Sequence, residues 1–240
     1  VAAAVWRGDQ LGRAPAATRP SGFAALDAQL PGGGWPCQGL TELLCPPPGM
    51  LVWRLLAPLL RAPASPVPAA SAAPVLLVGP PHRPHPPGLR ADGIDERALV
   101  WLQAQSPAER LWTTEQLLKA RTPGVLIVWL PQARAEQLRR LQVLAGTGQG
   151  PVFVCRPQAA AREASAAPLR LCLRGGEGWW SLRVDVLKRP GPPLMRTLSL
   201  PSVPAGLAAV LPPRLLRADA AASPAPAHEE DHVLVRPVAA

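Results

Sequence analysis

Apolar residues in this chain come in short unbroken runs, separated by stretches whose apolar positions recur every three to four residues. Residues 75–78 (VLLV) and 124–130 (GVLIVWL) are continuous apolar runs of strand length, the pattern of strands buried on both faces. Residues 40–44, 98–103 and 151–155 read as further strands. Between them lie helices. Residues 22–30 are predicted helical with Ser21 as N-cap. Residues 51–61 follow as a second helix, with a kink expected at Pro58. Ser106-Pro107-Ala108-Glu109 carries an N-cap, a proline at the first helical position and the Glu of a capping box, which opens a helix to about Ala120. Residues 134–145 are amphipathic, with Leu138, Leu141, Val143 and Leu144 on or near one face. After a loop at 156–168, residues 169–174, 179–187 and 196–200 alternate as short strands, and Trp179-Trp180 is expected to place one indole in the core and one at the surface. Strands alternating with helices, then late antiparallel strands, predict an α/β fold with a mostly parallel sheet and an appended meander.

Both ends differ from this body. Residues 1–20 form a Pro/Ala/Arg-rich arm with one apolar spot at Val5-Trp6, which together with Arg7 is a candidate for docking. Residues 21–202 are the expected core, and 62–74 a Pro/Ala/Ser linker within it. Residues 203–240 read as a Pro/Ala-rich tail, disordered when free. Within it, Leu211, Leu215 and Leu216 suit a short sticky helix, and Val233, Leu234 and Val235 a β-addition peptide.

Composition narrows the function classes. The chain has 240 residues, 48% of them hydrophobic, enough for one α/β domain with a core. Its net charge is +9, and the cations are almost all Arg, with Lys only at Lys119 and Lys188. Residues 206–240 hold three arginines against four carboxylates, so the body carries about +10. That excess favours an acidic partner, nucleic acid or protein. Cys37, Cys45, Cys155 and Cys172 form no C-x-x-C pair, so a reduced, cytoplasmic protein without structural disulfides is expected. The opening VAAAVWRGD lacks a basic segment followed by a long apolar stretch, and no apolar run reaches membrane-spanning length.

The most informative segment is the one after the strand at 40–44. A phosphate-binding loop needs G-x-x-x-x-G-K-[ST], so that backbone N–H groups cradle phosphates, Lys reaches them and a hydroxyl holds Mg²⁺. Here the strand runs into Cys45-Pro46-Pro47-Pro48-Gly49-Met50. Three prolines have no N–H to offer, and neither Lys nor Ser/Thr follows Gly49.

The order of elements over residues 20–200 resembles a RecA-like ATPase core. More closely it is similar to the ImuA family, the SulA/RecA-like proteins encoded beside error-prone polymerase genes. The residues carrying that resemblance are Val5-Trp6-Arg7-Gly8, Pro20-Ser21-Gly22-Phe23 with Leu26-Asp27, and Leu30-Pro31-Gly32-Gly33-Gly34-Trp35-Pro36. Thr41-Glu42-Leu43, Pro80-Pro81-His82-Arg83-Pro84 and Ser106-Pro107-Ala108-Glu109 complete the set. The resemblance implies a non-catalytic accessory of SOS-induced translesion DNA synthesis. Its implied partners are an ImuB-type inactive Y-family polymerase, an error-prone replicative-type polymerase and RecA. It also implies nucleoid association after DNA damage, and an arm whose Trp6 stretch matches the segment by which RecA proteins self-associate.

Set against RecA, further chemical positions differ. Pro80 stands where an active RecA has a water-positioning Glu, and Trp129-Leu130 where a Walker B Asp would sit. Phosphoryl transfer requires these groups, so neither catalysis nor a bound nucleotide cofactor is expected. His82 and His85 lack the carboxylate or C-x-x-C that would complete a zinc site and read as loop histidines. Arg156 and Arg162, in the loop matching a DNA-contacting loop of RecA, and the basic edge of Arg183, Lys188 and Arg189 are the DNA-contact candidates; any binding there would be weak and non-specific. A SulA-like division inhibitor capping a tubulin-like polymer and a nucleotide-dependent recombinase paralogue are the alternative readings.

Overall fold

The computed structural model describes residues 17–47, 49–61, 73–121, 124–178 and 180–212. Eight strands form one sheet. In chain order they are β3 (Leu40–Cys45), β4 (Val75–Val78), β5 (Leu99–Leu102), β6 (Val125–Trp129), β7 (Val152–Pro157), β8 (Leu169–Gly175), β9 (Ser181–Lys188) and β10 (Leu198–Pro201). A two-stranded ribbon precedes them, β1 (Thr18–Arg19) against β2 (Trp35–Pro36). The sheet order is β10-β9-β8-β3-β7-β6-β4-β5. All pairs from β8 to β5 are parallel, and β8-β9 and β9-β10 are antiparallel. The α/β class, the mostly parallel sheet and the closing meander are those the apolar runs predict.

Two apolar layers sandwich the sheet. On one face α1 (Ala24–Asp27), α2 (Leu51–Leu60) and α3 (Pro86–Ala91) cover Leu43, Leu77, Ile127 and Phe153. On the other, α4 (Pro107–Lys119) and α5 (Ala135–Ala145) cover Leu76, Val78, Val128 and Val154. The strand runs are apolar throughout because successive side chains feed opposite layers, and both are filled.

Side-chain caps start α3 and α4, and a partial one starts α5. At α4 the Glu109 N–H donates to Ser106 Oγ at 3.2 Å, and the Ser106 N–H to Glu109 Oε2 at 3.2 Å, the predicted reciprocal cap. At α5 the Arg134 N–H donates to Gln137 Oε1 at 2.8 Å, so only the backward half of such a cap is made. His85 caps α3, its Nδ1 accepting from the Gly88 N–H at 3.2 Å.

Three expectations change. Helix α1 is shorter than residues 22–30, and Ser21 is not its N-cap. Gly22 turns at φ +84°, so helical geometry begins only after Phe23. Ser21 Oγ accepts from the Phe23 N–H at 3.1 Å, and its own N–H donates to Asp27 Oδ1 at 2.9 Å. A β-carbon on Gly22 would sit 2.3 Å from Pro58 Cβ, so α1 and α2 meet where the side chain is missing. Val143 is 71% exposed, whereas Leu138, Leu141 and Ala145 are buried; five residues past Leu138 lies about 140° round the helix, off the apolar stripe. The start of the expected tail is structured: α6 (Ala205–Ala208) anchors to Asp92, whose Oδ1 accepts from the Ala205 N–H at 2.9 Å. Trp180 is half-buried, whereas Trp179 lies outside the described residues, as do Val5, Trp6, Arg7, Pro48, Leu215, Leu216, Val233, Leu234 and Val235.

Candidate functional site

In an open parallel sheet, ligands collect beyond the carboxyl ends of the strands, where neighbouring connections leave toward opposite faces. Here β3 and β4 lead to α2 and α3 on one face, whereas β5 and β6 lead to α4 and α5 on the other. The crevice between them is a cleft of about 190 Å³ lined by Cys45, Pro46, Gly49, Pro81, Trp129 and Arg156, among others. The loop after β3, the turn after β4 and the end of β6 therefore meet at one place.

The lining of this cleft is mostly apolar, with Arg110 and Arg156 as its charged members. Trp129 is 7% exposed and lies under the loop: a β-carbon on Gly49 would be 3.5 Å from its Nε1. Its ring lies 6.4 Å from that of Trp53 on α2. Leu130 is buried behind it. Cys45 and Cys155 are buried thiols. Burial, with a smaller contribution from Cys172, pushes Cys45 up to about 11, and burial holds Cys155 well above the usual thiol range. Both are therefore protonated near neutrality and poor nucleophiles. Pro80 is half-buried and Met50 is exposed at the start of α2. Arg110 crosses the cleft rim, its Nε donating to the Ala104 carbonyl at 3.0 Å and its side chain closing over Gly79.

Arg156 does not point at a nucleic acid. It is 3% exposed and sits in a buried charge cluster that the sequence reading missed. Its Nη1 donates to Glu42 Oε1 at 2.9 Å, and its Nη2 to Glu163 Oε2 at 2.6 Å and the Ala133 carbonyl at 2.9 Å. Arg170 Nε donates to the other Glu42 oxygen at 2.5 Å, and its Nη2 to the Ala160 carbonyl at 2.8 Å. Desolvation works to lower the Arg156 pKa, but hydrogen bonds and attraction from Glu42 and Glu163 outweigh it and leave it raised. The cluster ties the 158–163 turn down onto β3, β7 and β8. The signal was available in Glu42, a carboxylate inside an otherwise apolar strand, which needs a buried cationic partner.

The other DNA-contact candidates divide. Arg162 and Arg183 are exposed. Lys188 is exposed and donates to the Ser165 carbonyl at 3.1 Å. Arg189 is spent within the fold, donating to the carbonyls of Pro192 and Gln29, each at 2.7 Å. Nor is this an edge, because β9 lies between β8 and β10. An ion pair between Arg174 and Asp185 adds a carboxylate to the same surface. His82 and His85 are exposed, and among the described residues no cluster of three His, Cys, Asp or Glu could hold a metal ion. Among the same residues no helix is long and apolar enough to cross a membrane. Leu211 continues the turn of α6, its N–H donating to the Leu207 carbonyl at 2.9 Å. No model of a known protein family matches the chain, and no curated protein sequence matches it.

Proposed function

We propose that the chain is a RecA-like module that works by assembling partners, not by turning over nucleotide, and that those partners belong to a translesion synthesis complex. The observation that carries the first half is the cleft at the carboxyl ends of β3, β4 and β6. In this reading it is the ancestral nucleotide site, now lined by Cys45, Pro46, Gly49, Pro81 and Trp129. Phosphate binding there would need backbone donors and a cation at the start of α2. Pro46 and Pro47 supply no N–H, and the α2 start is Met50-Leu51-Val52. The sheet order supports the RecA-like assignment, since β3 stands in the middle, with β7, β6, β4 and β5 on one side and the meander on the other.

The second half rests on the sequence resemblance to the ImuA family, with its ImuB-type and error-prone polymerase partners. Two measurements test the halves separately. Titration calorimetry with Mg-ATP is expected to give no saturable heat at millimolar nucleotide; tight binding overturns the non-catalytic reading. Co-purification of the full chain with candidate ImuB-type, error-prone polymerase and RecA proteins is expected to recover at least one stable complex. Recovery of a tubulin-like polymer protein instead would favour a SulA-like role.

A further inference from the structure

Beside the apolar cleft, sharing Gly49 and Pro81 with it, lies a wider groove of about 500 Å³. Its lining includes Met50, Trp53, His82, Arg83, Leu89 and Ile94. Met50 is 64% exposed, a flexible apolar side chain left in water beside half-buried Trp53. The rim is cationic. The Arg83 guanidinium lies 5.7 Å from the centre of the Trp101 ring, and Arg83, His82 and His85 are all exposed. His85 uses Nδ1 to accept from Gly88 and leaves Nε2 for a ligand. Among the described lining residues one carboxylate is present, that of Asp92, and it already accepts from the Ala205 N–H. An apolar floor beside an accessible cation suits a peptide in which carboxylates adjoin aliphatic side chains.

The chain contains such a peptide and delivers it close by. Helix α6 packs on α3, which forms one wall of the groove; a β-carbon on Gly206 would lie 2.7 Å from the Ala91 carbonyl oxygen. The described chain runs on through Leu211 to Pro212. Seventeen positions further stands Glu229-Glu230-Asp231-His232-Val233-Leu234-Val235. An extended span of that length reaches about 55 Å, whereas a core of this size has a radius of gyration of about 16 Å. The linker therefore reaches the groove with slack, and such a tether holds the segment at an effective concentration on the order of millimolar.

We propose that residues 229–235 of the same chain dock in this groove. Val233, Leu234 and Val235 lie on the floor made by Met50, Trp53 and Leu89, and Glu229 and Glu230 lie toward Arg83 and His82. The groove is thus occupied in cis, and a partner segment of like chemistry must displace the chain's own tail to bind. This inference does not depend on the identity of the partners.

The test uses the full chain with a benzophenone amino acid in place of Leu234, irradiated at low micromolar concentration and mapped by mass spectrometry. The expected product is an adduct within one chain at Met50, Trp53 or Leu89. Arg83→Glu should lower its yield about threefold, the size of one exposed ion pair, with an unchanged melting temperature. Combining Arg83→Glu with Glu229→Arg and Glu230→Arg should restore it. Adducts elsewhere on the chain, adducts only between chains, no adduct, or a yield indifferent to Arg83→Glu would each overturn the proposal.

Discussion

Glu42 has two guanidinium partners and almost no contact with solvent, so its charge is held entirely by Arg156 and Arg170. Such a pair is costly to break, because removing one member leaves the others buried and uncompensated. We expect Glu42→Ala to destabilise the fold by about 3–5 kcal/mol in denaturant unfolding, whereas Arg162→Ala, at an exposed position in the same turn, should stay within about 0.5 kcal/mol. Equal effects of the two would show that the cluster does not hold the 158–163 turn. Cys45 gives a pH prediction. Its thiol is raised to about 11 in the fold, against about 8.5 unfolded. The folded state thus retains the proton longer. This contribution is complete below about pH 8.5, falls as pH rises toward 11 and is gone above that. Cys45→Ala should flatten the alkaline decline in melting temperature between those limits; an unchanged decline would place its source elsewhere.

Among the helices, α4 stands on its own cap and α1 on a contact. The Ser106–Glu109 box satisfies donors at the start of α4 without help from the rest of the fold. Ser106→Ala is therefore expected to cost about 1 kcal/mol, read as a shift in urea midpoint with unchanged slope. Gly22 is different. Its φ of +84° and the 2.3 Å approach of Pro58 Cβ both forbid a side chain. Gly22→Ala should cost more than Ser106→Ala, since strain and a backbone shift of α1 against α2 add. A smaller effect would mean that α1 moves freely over α2.

For the whole molecule, the +9 charge is spread unevenly in what it can do. Arg156, Arg170 and Arg189 face inward, so exposed Arg162 and Arg183 remain as phosphate contacts from the sequence-based set, along with Lys188. Binding to single-stranded DNA should be weak, indifferent to sequence and lost steeply with salt through counterion release. A logarithmic plot of affinity against salt should lose about one unit of slope with Arg162→Ala or Arg183→Ala. Nanomolar binding that survives 0.5 M salt would require a contact surface other than these residues.

The apolar runs at Val75–Val78 and Val125–Trp129, the Ser106 cap and the prolines after β3 are readable one segment at a time, because burial on two faces, capping and a missing N–H are local properties. They are enough to reach an α/β class and a loop after β3 whose prolines offer no N–H. The Glu42 cluster is not local. Arg156 and Arg170 stand 114 and 128 positions from Glu42 and meet it only because β3 lies between β7 and β8. Read alone, Arg156 belongs to a short basic loop; strand pairing turns it into the core. The same holds for Gly22, whose need for a missing side chain arises from Pro58 on another helix. It holds too for the groove beside α3, whose wall and floor come from segments joined only by packing. Pattern and propensity act over a few residues, whereas strand order and register decide which buried charges meet.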